Sequence, residues 1–205
     1  QRAVGGDVLV SAGSSVDKSG GKLSFMSGHS EAASSGAVEI ASAKAGSDGS
    51  SGSVAISSGS AESGLSGAVD IVTGASPYGS SGNVNIAAGA GDVGGDINVH
   101  GGMSNAKTGG AVEIASGRSQ KGDSGVLSLL TANSGSNGGS GQLTLQTGLA
   151  SGGSSGDVSM VSGDSSVGAA GDVAIRAGSG MSAGGALRFS GGANKGKRSE
   201  ERRVG

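Results

Sequence analysis

Cysteine and tryptophan are absent from this sequence, and it holds one proline, one tyrosine and two phenylalanines in 205 residues. Without cysteine there is no disulfide framework and no thiolate site for zinc or iron. Without aromatics an ordinary core or pocket lacks its largest packing elements, so any core rests on Val, Ile, Leu, Ala and Ser and must be thin. Proline is almost missing and glycine does not recur at every third position, which excludes collagen. No apolar run reaches the roughly 18 residues that a membrane-spanning helix needs. The chain starts Gln1-Arg2-Ala3, without an initiator methionine or a signal-peptide apolar stretch. A fragment or processed product is the expectation, and the lack of a polar cap at either end of the repeats fits excision from a longer protein.

Charge is low, with 14 Lys and Arg against 16 Asp and Glu. The last eight residues, Arg198-Ser199-Glu200-Glu201-Arg202-Arg203-Val204-Gly205, break from the composition of the rest. They resemble the first-frame translation of a common short-read sequencing adapter and stay outside fold reasoning. Leaving them out lowers Lys and Arg from 14 to 11 and Asp and Glu from 16 to 14. The basic cluster Lys195, Lys197, Arg198, Arg202 and Arg203 is therefore not read as a nucleic-acid patch.

What the sequence does hold is 46 glycines and a repeat. A first apolar column falls at Val8, Leu23, Val38, Val54, Val69, Val84, Ile97, Val112, Leu127, Leu143, Val158, Val173 and Leu187. The intervals are 15, 15, 16, 15, 15, 13, 15, 15, 16, 15, 15 and 14 residues. Two residues after each stands a second apolar column, from Val10 and Phe25 to Ile175 and Phe189. Two further on comes a small-residue column, Ala12, Ser27 and Ser42 through Ala177 and Gly191. Apolar-x-apolar-x-small is the period-two pattern of a strand with one buried face. Outward positions such as Glu39, Asp70, Asn85 and Arg188 are mostly polar. Glycine usually follows the small residue (Gly13, Gly28, Gly59) and precedes the next strand (Gly36, Gly52, Gly67), where a sharp turn asks for positive φ or close backbone approach.

Identical strands with identical turns stack most simply as parallel coils. The fold expected is all-β, a parallel β-solenoid (β-helix) of thirteen short strands with two repeat units per coil, so that two apolar faces meet. One unit per coil is an alternative, and so is three, because every third interval departs from 15. A long antiparallel meander is disfavoured by the ten-residue linkers and the lack of two-residue hairpin turns. Residues 1–192 are assigned to the β-solenoid repeat array and 193–205 to a non-repeat tail, disordered or artefactual.

The unit Ser-Gly-Asp-Val-Ser-Met-Val-Ser-Gly at 155–163 resembles the Ser/Gly-rich repeats of large predicted surface proteins of diatoms and related algae, and the resemblance covers all the repeats. It implies a Gly/Ser-rich structural repeat protein of extracellular or cell-surface location, such as an adhesin stalk or cell-wall element.

No residue stands out as catalytic, cofactor-binding or metal-ligating. His29 and His100 lie in different repeats without a recurring partner. Asp48, Asp92, Asp123 and Asp164 recur in turns but share no position in the unit, and the calcium-binding nonapeptide has a different period. Gly89 to Gly95 imitates a phosphate loop, yet lacks strand-loop-helix context. No nucleophile elbow, triad or carboxylate pair emerges, so the chain reads as non-enzymatic. The alternative is an ice-binding (antifreeze) β-solenoid face, although Thr73, Thr108, Thr131, Thr144 and Thr147 are sparse for it. The partners expected are adjacent repeats of the same longer chain, and beyond them surface polysaccharide, mineral or ice, with no nucleic acid and no membrane span.

Overall fold

The computed structural model describes residues 4–193, and among them there is neither helix nor strand. The expected all-β architecture, the parallel β-solenoid or β-helix with two repeat units per coil, is not formed. Every backbone–backbone hydrogen bond among the described residues lies within one loop, and none joins a repeat to its neighbour's equivalent position. The one-unit and three-unit coils fail for the same reason.

The physical reason lies in the thinness of the pattern. Two apolar residues per unit, with Gly- and Ser-rich linkers between, cover little surface while the linkers carry the largest backbone entropy. No described residue is buried, and the chain exposes 21144 Å². A compact protein of 18.9 kDa exposes about 8,300 Å².

The period survives as a train of loops. The chain divides into two units, Gln1–Val99 and His100–Gly205, and the same loop recurs in each. In the first unit Gly21 donates its N–H to the Gly13 carbonyl at 2.8 Å, Gly36 to Gly28 at 3.0 Å and Gly95 to Gly89 at 3.2 Å. In the second, Gly110 donates to Gly102 at 2.8 Å, Gly125 to Gly117 at 2.9 Å and Gly185 to Gly178 at 2.8 Å. These are the glycines that follow one small residue and precede the next apolar pair. Between the loops the segments run free of bends. Ser27 lies against Gly36 while Phe25 shares a hollow with Val38 and Ile40, so the chain doubles back across that loop. The ten-residue linkers that counted against a meander make the reversal, but no sheet follows.

The uneven intervals are absorbed in the loops. Closure spans eight residues where the interval is 15 (Gly13 to Gly21), seven where it is 14 (Gly178 to Gly185) and six where it is 13 (Gly89 to Gly95). Where the interval is 16 the loop instead carries a tight turn of its own, with Gly49 donating to Gly46 and Gly138 to Gly135, each at 3.4 Å. The departures at every third interval are thus loop-length differences, with no coil behind them.

Among the described residues no glycine has positive φ, so the sequence expectation of left-handed turns gives way to its alternative, close backbone approach. Of the tail assigned to 193–205, only Ala193 falls within the described residues. No helix among them is long and apolar enough to cross a membrane.

Candidate functional site

The repeated apolar pair is the first feature to consider. From Leu23 onward the first-column residues, each preceded by a described loop, are 49–60 % exposed, whereas Val8 is 92 % exposed. Outward apolar neighbours such as Leu9, Met26 and Val72 are 84–89 % exposed. Each loop therefore brings the first residue of the pair partly under cover and leaves about half of it in water, while the second residue stays 50–81 % exposed. Phe25, Val38, Glu39 and Ile40 line one apolar hollow of about 370 Å³ on this face. It is the period-two face that the sequence pattern marked, present here as an alternation of exposure without sheet hydrogen bonds.

The small column seats each loop. A Cβ placed on the pre-segment glycine would meet the preceding small residue's side chain at 3.3 Å for Gly21 and Ala12, 3.4 Å for Gly36 and Ser27, and 3.3 Å for Gly95 and Ala88. In loops without a closing bond the approach is looser, at 3.7 Å for Gly67 and Ser58, 3.8 Å for Gly82 and Thr73, and 3.9 Å for Gly171 and Ser162. Close approach and the bond go together, because the N–H reaches the facing carbonyl only when the two backbones come this near.

A second recurring element went unnoticed in the sequence. The Ser15 hydroxyl accepts the N–H of Lys18 at 3.1 Å, Ser30 that of Ala33 at 3.0 Å, and Ser104 that of Lys107 at 2.9 Å. Ser119 does the same for Gly122 and Ser165 for Gly168, each at 2.9 Å. Every one of these serines stands two residues after a loop-opening glycine: Gly13, Gly28, Gly102, Gly117 and Gly163. The hydroxyl holds the loop's bend by standing in for a backbone acceptor. Gly-x-Ser at the head of these five loops was the available signal, hidden by the abundance of both residues, although Ser76, two residues after Gly74, fits it without the bond. Where the position holds Ala61, Gly91, Ala150 or Gly180, no such bond forms.

The residues weighed for chemistry stay apart. His29 and His100 are exposed and in different units. Asp48, Asp92, Asp123 and Asp164 sit in four separate loops, and among the described residues no three His or acidic groups come together as a metal site. The Gly89 to Gly95 stretch is the shortest closed loop. A wide hollow of about 640 Å³ along the loop from Gln146 to Ser155 is lined by Thr147, Leu149 and Ala150 among others and holds no ionisable side chain. Ice binding was read from a flat solenoid face, and that face is not formed. No family model, curated protein or solved structure matches the chain.

Proposed function

We propose that the chain is a non-enzymatic structural or adhesive segment of a larger extracellular or cell-surface protein, acting through many equal weak contacts. The observation that carries this reading is the recurrence of a largely exposed apolar pair across the repeats, its second member 50–81 % exposed in every copy. Catalysis concentrates unlike groups at one place, whereas an array of equivalent sites acts by multivalency. Low net charge and serine-rich loops suit contact with polysaccharide or mineral.

The test is adhesion of the full chain to insoluble polysaccharides and to mineral particles, followed by salt and detergent washes. Graded, non-stoichiometric retention is expected. A saturable one-to-one small ligand or measurable turnover would overturn the reading.

A further inference from the structure

We infer that the apolar face is a self-association surface whose occupant is a second copy of this chain. The inference deepens the structural reading by naming one partner.

Area comes first. The pair members of the first unit are 49–92 % exposed, and since a fully buried Val or Ile side chain withdraws roughly 60 to 120 Å² of apolar surface, each still offers about 50 Å². The fourteen pair residues from Val8 to Val99 in the first unit together offer roughly 700 Å², close to the about 800 Å² per partner of a standard stable interface. The second unit adds a comparable face of its own. Among the described residues the exposed apolar side chains of the loops, such as Leu65, Leu149 and Val167, stand singly.

The backbone makes the same demand. Among the described residues every main-chain pair is made by loop glycines, so the N–H and C=O groups beside Leu23 and Phe25, or beside Val69 and Ile71, have no main-chain partner. Unpaired donors and acceptors flanking an apolar pair are a template for another chain laid alongside.

Spacing selects the occupant. A partner must present an apolar pair about every 15 residues and absorb departures between pairs, and this chain does so thirteen times, with its slack confined to loops. Its low net charge of −2 sets little repulsion against a second copy.

The experiment is sedimentation velocity with far-ultraviolet circular dichroism on the full chain, from about 1 μM to about 300 μM. Wild type is expected to sediment faster and gain extended-strand signal as concentration rises. The triple variant Ile40→Asp, Ile56→Asp, Ile71→Asp is expected to stay monomeric across a range at least about tenfold higher. The control Leu65→Asp, Leu149→Asp, Val167→Asp removes apolar residues that are more exposed still but lie off the face, and it is expected to associate like wild type. Because no described residue is buried, the triple variant has no core to lose. A wild type that stays monomeric throughout would overturn the inference, and so would equal loss of association in the control. A monomeric wild type that still coats polysaccharide or mineral would overturn self-association and leave the structural reading standing.

Discussion

Gly110 donates its N–H to the Gly102 carbonyl at 2.8 Å, and a Cβ added to Gly110 would sit 2.8 Å from the Gly102 nitrogen. The same loop shows the reverse at its other end, where a Cβ on Gly102 would meet nothing within 4 Å. One glycine is required by space and the other only chosen. Because no described glycine has positive φ, space alone decides the outcome of alanine substitution.

Gly110→Ala is therefore expected to open the loop, at about 1 kcal/mol for the lost bond. Gly102→Ala is expected to be neutral or to favour closure slightly through the restricted open state. Proton–deuterium exchange at residue 110, read by nuclear magnetic resonance, separates them, with faster exchange in the first variant only. Gly67→Ala and Gly171→Ala, at 3.7 and 3.9 Å from their nearest neighbours, should behave like Gly102→Ala.

The serine bend gives a second contrast. The Ser104 hydroxyl accepts from Lys107 at 2.9 Å and from Ala106 at 3.4 Å, so Ser104→Ala leaves both amides to water. In so exposed a loop the cost is about 0.5 to 1 kcal/mol. It should appear as faster exchange at Lys107 and a changed backbone coupling at Ala106. Ala61→Ser, which supplies the missing hydroxyl two residues after Gly59, should slow exchange at Gly64.

Much of this was legible in the sequence and some was not. The apolar pairs, the small column and the paired glycines are visible as columns, and they became the partly shielded face, the loop seats and the closing bonds. The sheet was inferred from periodicity, yet a period states which residues share a face and says nothing of whether that face finds a partner. Val69 and Ile71 alternate with Asp70 as a strand would, but the facing segment offers too little apolar surface to fix the backbone. The serine bends escaped notice because serine is everywhere, and even the position two residues after a glycine, as at Gly13 or Gly28, does not suffice, since Ser76 after Gly74 forms no bend bond.

Exposure predicts protease behaviour. Lys18, Lys44, Lys107 and Arg118 lie in or beside loops, while Arg176 and Arg188 lie in bend-free segments, and all six are exposed. In a compact fold the segment sites would resist, since cleavage there waits on opening. Here brief trypsin digestion at low protein concentration should cut all six at rates within about tenfold of one another. At high concentration, protection of Arg176 and Arg188 alone is the outcome expected if segments pair between copies.

Loop length provides the sharpest test of where the repeat stores its tolerance. Closure occurs over six, seven and eight residues, so inserting one glycine between Asp92 and Val93 lengthens the shortest loop to a span already used at Gly178 to Gly185. That variant should keep the exposure pattern and the Gly89 closing bond, because loop entropy changes by only a fraction of a kcal/mol per added residue. An insertion between Val69 and Asp70 moves Ile71 to the opposite face, since side-chain direction alternates with each residue. The segment insertion should weaken concentration-dependent sedimentation while the loop insertion leaves it unchanged. Equal effects from the two would mean that the columns are not a face at all.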